Sequence, residues 1–232
     1  MSFADRLTRC PLIHDPGPAG VVADRFAAQS PGVVALLAGA ASTSPFLAGL
    51  IQRLSDWLDG WLDEAGAQTP EAALEAVFAI PADLPAEQLA RALREAKARA
   101  ALLVALCDLG GVWPLGRVTQ ALTQLADLAV DRAIRTLLAE EARRGRLPGG
   151  DAGLVVLAMG KMGAGELNYS SDIDLICLFD DGRYDGADVA EARMALIRVT
   201  RRMAAMLADR TADGYVFRTD LRLRPDASVT PV

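Results

Sequence analysis

Lysine is almost missing from this chain. Lys97 and Lys161 are the only two among 24 basic residues, the rest being arginine. Histidine occurs once, as His14 in a proline-rich segment far from any motif. A nucleophile–base pair needs the base within hydrogen-bond reach, so His14 supports no catalytic triad. Cys10, Cys107 and Cys177 are odd in number and widely spaced, which excludes a disulfide framework and a metal-ligand pattern. Cys107 and Cys177 sit among apolar neighbours and read as buried free thiols, at home in a reducing cytoplasm. No apolar run is long enough to span a bilayer. The first ten residues, MSFADRLTRC, carry an acid and precede prolines, unlike a signal peptide. Basic excess is lacking too. The formal net charge is -6, which argues against general nucleic-acid binding. The acidic run DDGRYDGAD, residues 180–188, lacks the ligand spacing and terminal Glu of an EF-hand and reads as a solvated loop. There is no internal repeat and no low-complexity tract.

What is present is an apolar fraction of 52% in 232 residues, enough for one large domain or two small ones. The first part reads as helical. Ser44-Pro45 is a start signal, a capping hydroxyl before proline at the first helical position. Phe46, Leu47, Leu50, Ile51, Leu54, Trp57, Leu58 and Trp61 follow at helical spacing. Thr69-Pro70 starts another helix through Leu74, Val77 and Phe78. A long helix is expected from about Pro85 to Leu109, stopped by Gly110-Gly111, and the next from Pro114 to about Arg144. The second carries a stripe of Val118, Leu122, Leu125, Ala129, Ala133, Leu137 and Leu138. These apolar stripes read as core rather than as a cofactor box. Composition changes at LPGGDAG, residues 147–153, the expected boundary between a helical region (1–146) and a second region (147–232). Beyond it the expectation is a strand over Leu154–Ala158, a glycine turn, a short helix near Glu166, and a strand over Ile173–Phe179. A helix follows over Asp188–Ala208 with Val189, Leu196, Val199, Met203 and Leu207 inward. Last comes a strand from Tyr215 to Leu223.

The most informative stretch is Leu154 to Phe179, LVVLAMGKMGAGELNYSSDIDLICLF. Asp172 and Asp174 are two residues apart, so on a strand both carboxylates share a face. Side by side they repel, and a divalent cation removes the conflict. The nearby glycines leave backbone N–H groups free to approach a phosphate. Lys161 lies inside that turn, either as a compact ammonium donor for phosphate or as a solvated surface lysine. Ser170 and Ser171 either contact phosphate or simply cap and turn the chain. Tyr169 either packs or borders a nucleotide; Glu166 and Asn168 have no evident chemical role. On the last strand Asp220, Arg222 and Arg224 share one face, with Leu221 and Leu223 on the other. Such a face meets a ligand or partner, or else Asp220 merely pairs with Arg222 or Arg224 in surface ion pairs of little energetic value.

Met159-Gly160-Lys161, a ten-residue spacer and Asp172-Ile173-Asp174-Leu175 resemble the signature of the nucleotidyltransferase superfamily typified by DNA polymerase beta, with Lys161 where a small residue is usual. The fuller string GKMGAGELNYSSDIDL, with FRTDLRLRP downstream, closely resembles the glutamine synthetase adenylyltransferase/adenylyl-removing family. SPFL at residues 44–47 and the helix ALREAKARAALLVALCDLGG are similar to that family more loosely. The resemblance implies an α+β fold, with a helical N-terminal segment leading into a polymerase beta-like core with a mixed sheet. It implies a catalytic half that continues beyond Val232. It implies a third carboxylate at Asp220, so that Asp172, Asp174 and Asp220 hold Mg2+ or Mn2+ and carry the catalysis. Gly160, Lys161, Gly163, Ser170, Ser171, Arg222 and Arg224 would then contact nucleotide (ADP or ATP) and inorganic phosphate. ELNYSSDIDL and DLRLRPDASVTPV are more similar to the family's adenylyl-removing half, which takes AMP off a glutamine synthetase tyrosine by phosphorolysis to give ADP. The alternatives are the forward half, using ATP, and a degenerate fold that only binds nucleotide or a regulatory partner. The implied partners are glutamine synthetase and, through the full-length enzyme, the PII signal protein, with no nucleic acid and no membrane. The implied location is cytoplasmic.

Overall fold

Proline and small polar residues set where the helices begin. In the computed structural model, which describes residues 2–63, 69–186 and 188–223, four helices start with proline directly after Asp, Ser or Thr. They are α1 (Pro16–Arg25), α2 (Pro31–Thr43), α3 (Pro45–Arg53) and, after α4 (Ser55–Leu62), α5 (Pro70–Phe78). The Asp15 carboxylate accepts from Gly17 N, the Ser44 hydroxyl from Leu47 N and the Thr69 hydroxyl from Ala72 N. Each satisfies a donor that has no partner within its helix. The helices α6 (Ala86–Leu109) and α7 (Leu115–Arg143) follow, separated by Gly111 at φ 67°. The remainder is β1 (Leu154–Ala158), α8 (Gly160–Gly163), β2 (Ile173–Phe179), α9 (Val189–Ala208) and β3 (Thr219–Asp220). The architecture is α+β.

The chain forms two compact units, Met1–Ala79 with Ala96–Ala121, and Ile80–Glu95 with Leu122–Val232. In the first, Leu36, Ile51, Leu58, Leu102, Leu103 and Leu106 are fully buried. α2 is apolar nearly all round and is buried accordingly. Gly39 of α2 lies so close to Pro11 that a Cβ would meet the Pro11 carbonyl at 2.4 Å. The N-terminal segment is strapped onto the end of α6 by Thr8 N to Gly110 O (2.9 Å) and Arg9 Nη2 to Asp108 O (2.7 Å). Glu71 accepts two bonds from Arg6, at 2.9 and 3.1 Å, and one from Trp113 Nε1 at 2.7 Å.

The second unit holds a three-stranded mixed sheet in the order β1-β2-β3. β1 and β2 are antiparallel, with Leu154 opposite Phe179 and Ala158 opposite Leu175; β2 and β3 are parallel. One face of the sheet carries Leu154, Val156 and Ala158 with Leu175, Cys177 and Phe179. The buried face of α9, namely Ala195, Leu196, Val199 and Met203, adds to this unit's core, and Cys177 hydrogen-bonds Thr200 of that helix. The other face is open, with Val155, Leu157 and Leu178 exposed. α9 is tied to α7 by ion pairs from Arg198 to Glu141 (3.0 Å) and from Arg202 to Glu140 (2.7 Å). Glu141 is buried, and Arg144 and Arg146 also reach its carboxylate.

Several expectations need correction. The run from Phe46 to Trp61 is two helices, broken where Leu54 leaves helical geometry at φ -105°, ψ 20°, and Phe46 is exposed. The short helix is α8 itself, within the glycine turn, and Glu166 lies beyond it. The last strand is only Thr219–Asp220, because β3 pairs with just the first two residues of β2. Cys107 is buried, but Cys177 is only half-buried. Among the described residues no helix is long and apolar enough to cross a membrane.

Candidate active site

The open face of the sheet carries the acidic residues. β1 and β2 fix the alternation, because Leu157 faces Ile176 and Val155 faces Leu178 across the ladder. Asp174 is therefore on the same face as Ile176 and Leu178. Asp220 of β3 is the register partner of Asp174 on the neighbouring parallel strand. Asp172 stands one residue before β2. The ladder is carried past the end of β1 by Met159 N donating to Asp174 O at 2.9 Å.

The glycine turn is built against this point. Gly160 has φ 56°, and a Cβ there would lie 3.0 Å from Asp174 Oδ2. Glycine is thus needed twice at this position, for its conformation and for the close passage over the carboxylate. Gly163 is needed for packing, since its Cβ would meet the Ala158 carbonyl at 2.3 Å. Lys161 donates to Asn168 Oδ1 at 3.3 Å, and the Ser171 hydroxyl donates to the same oxygen. Leu167 N donates to Thr123 Oγ1 of α7 at 3.2 Å, which pins the chain between the turn and β2. Asn168, given no role from sequence, is thus the acceptor on which Lys161 and Ser171 meet.

Two of the three aspartates are turned onto arginines. Arg222 donates to both oxygens of Asp220 through Nε at 3.0 Å, and its backbone N–H adds a bond of 2.8 Å. The Arg222 side chain, then this backbone bond, hold the Asp220 carboxyl at about 2. This is the surface pairing that the sequence left open as an alternative. Arg222 is raised above the ordinary arginine value chiefly by Asp220, and the charges of Asp174 and Asp172 add to it. Arg218 Nε donates to Asp172, and that bond raises Arg218 in turn. Ser170, at φ 56°, presents its carbonyl to Arg218 Nη2 at 2.6 Å. Arg224 lies outside the described residues. Arg218 was not singled out from sequence; its place two residues before Asp220 in FRTDLRLRP was the available signal.

Carboxylate oxygens at the ends of two adjacent strands suit a hard cation such as Mg2+ or Mn2+ by donor chemistry. Among the described residues no three acid, histidine or cysteine side chains are gathered closely enough to hold one. For all three aspartates to serve a cation, the Asp220 carboxylate has to leave Arg222, whose side chain is 87% exposed and free to turn into solvent.

A family model described as glutamate–ammonia ligase adenylyltransferase matches residues 34–232. Among curated relatives, a bifunctional glutamine synthetase adenylyltransferase/adenylyl-removing enzyme from Bradyrhizobium sp. (strain ORS 278) is 48% identical over 94% of this chain and 23% of its own length. The protein of the same name from Bradyrhizobium diazoefficiens is 50% identical over 85% of this chain and 21% of its own length. That from Caulobacter vibrioides is 41% identical over 99% and 25%. The chain thus spans about a quarter of the length of the curated relatives it matches.

Proposed function

Because the chain belongs to the glutamate–ammonia ligase adenylyltransferase family, we propose that it is the N-terminal part of an adenylyl-removing half, residues 147–232 belonging to the nucleotidyltransferase core. Its parent would remove AMP from a glutamine synthetase tyrosine by phosphorolysis, yielding ADP. The observation that carries the reading is the parallel pairing of Asp174 with Asp220 under the glycine turn, with Asp172 leading into the same strand. The choice of half rests on the resemblance of ELNYSSDIDL and DLRLRPDASVTPV to the removing half.

Asp172, Asp174 and Asp220 would hold Mg2+ or Mn2+. A cation held there would supply Lewis-acid chemistry, offsetting negative charge on the phosphoryl oxygens. The chain's own groups bind and orient. Lys161, steadied by Asn168, offers an ammonium to phosphate oxygens, and Gly160 and Gly163 let the turn lie close to Asp174. Arg222, once off Asp220, is a cation for inorganic phosphate, joined by Arg224. Ser170 and Ser171 present hydroxyls on the loop before β2. The PII signal protein as regulator, and the cytoplasm as location, are readings for the parent.

The test uses the full-length parent with the aspartates of the other half substituted. It should release ADP from adenylylated glutamine synthetase only when inorganic phosphate is present, product identity being read by chromatography. Transfer of AMP from ATP onto unmodified glutamine synthetase by that protein would assign this chain to the forward half instead.

A further inference from the structure

We infer that Arg218 is the residue that positions Asp172 for cation binding; this rests on the carboxylate-site reading above. Asp172 precedes β2 and, among the described residues, makes no ladder bond of its own, so its position depends on side-chain contacts. Arg218 supplies one from the neighbouring chain segment. Its guanidinium spends each nitrogen on a different group: Nε on Asp172 Oδ1, Nη2 on the Ser170 carbonyl at 2.6 Å, and Nη1 on the Tyr215 hydroxyl at 3.1 Å. Its own carbonyl accepts from Ile173 N at 2.9 Å. One residue therefore fastens the loop Ser170–Asp172 to the segment that runs into Asp220, with backbone on one side and a planar fork on the other. Ser170 is held in the left-handed region at φ 56°, an arrangement that costs a non-glycine residue free energy and needs such restraint.

The two arginines at the site differ in a way that separates their roles. Arg222 engages both oxygens of Asp220, its neighbour two residues away, and is almost wholly in solvent. Arg218 engages only Oδ1 of Asp172, 46 residues away in sequence, and is half-exposed. Arg222 is a counter-ion that can leave. Arg218 aims one oxygen by holding the other, as groups that hydrogen-bond a ligating carboxylate do. A lysine keeps the charge at this position but not the fork, since an ammonium is a point donor.

The test is Mn2+ affinity measured by isothermal titration and by the free-Mn2+ electron paramagnetic resonance signal, on the chain as it stands. Arg218→Lys and Arg218→Gln should each weaken Mn2+ binding about 10-fold or more, the usual cost of losing such a partner. In an Asp172→Asn background either substitution should weaken it no further. A merely structural role would give losses that add. Unchanged or tighter Mn2+ binding by Arg218→Lys and Arg218→Gln would overturn the inference and make Arg218 a competing counter-ion. If Arg218→Gln fails to fold, Arg218→Lys with its double variant decides alone. Absence of Mn2+ binding by the unsubstituted chain would overturn the carboxylate-site reading itself, and this inference with it.

Discussion

At Gly160 and Gly165 the backbone asks for the same conformation, but the space around them differs. Both have positive φ, 56° and 74°, so alanine at either should cost about 1–2 kcal/mol through left-handed strain. Only at Gly160 would the added Cβ press on Asp174, at 3.0 Å from Oδ2; at Gly165 it meets nothing within 4 Å. Gly160→Ala should therefore lose at least as much stability as Gly165→Ala in urea unfolding, while only Gly160→Ala weakens Mn2+ binding. Equal Mn2+ affinities in the two variants would show that the turn does not shape the carboxylate site. The place of Gly160 in a turn ahead of Asp-x-Asp was legible from the spacing of glycines. The side-chain contacts of Asn168 and Arg218 were not. Each acts through a side-chain bond to a residue whose distance in space the sequence does not encode, and neither belongs to a periodic pattern.

Among the elements, helix ends marked by a cap with proline or by a glycine pair were readable to within about a residue: the starts of α3 at Ser44-Pro45 and α5 at Thr69-Pro70, and the end of α6 at Gly110-Gly111. Asp15-Pro16 and Ser30-Pro31 carry the same pairing at the starts of α1 and α2. The expected strand runs nine residues from Tyr215, whereas only Thr219 and Asp220 pair with β2, although β2 itself continues to Phe179. Packing between elements has its own pH signature in the Arg6–Glu71–Trp113 cluster. The Arg6 bonds, opposed by desolvation and aided by Trp113, lower Glu71 from 4.5 to about 2. A carboxyl depressed on folding contributes stability that is fully present above its unfolded value and is lost as the pH falls through its folded value. The thermal midpoint should therefore drop as pH falls from 4.5 towards 2, and Glu71→Gln should flatten that drop while lowering the midpoint above pH 4.5. Because the Glu71 side chain is 40% exposed, solvent screening keeps the effect modest. Parallel profiles for the two proteins across this window would remove Glu71 as its source.

For the molecule as a whole, composition and charge say more than any element. The break at residues 147–153 lies inside the second compact unit, which also takes in Ile80–Glu95 and the chain from Leu122. Charge bears on the choice of substrate. A nucleotidyltransferase site raises the question of a polynucleotide, and the balance of 30 acidic against 24 basic residues in this chain weighs against one. Binding a duplex draws most of its affinity from counterions released as a basic surface neutralises phosphates. A chain of net charge -6 is repelled by that polyanion instead. A single nucleotide or phosphate ion is different, because on the proposed reading Lys161, Arg222 and a bound cation would offset its charge locally, where the net charge matters less than the nearest groups. Fluorescence anisotropy with a labelled duplex should therefore show no binding even at about 50 mM salt, where electrostatic attraction is strongest. Isothermal titration of ADP in the presence of Mn2+ should give heat that Asp174→Asn abolishes. Duplex binding that weakens steeply as salt is raised would mean that the arginines form a basic surface despite the net charge, and the substrate class would then have to be reassigned.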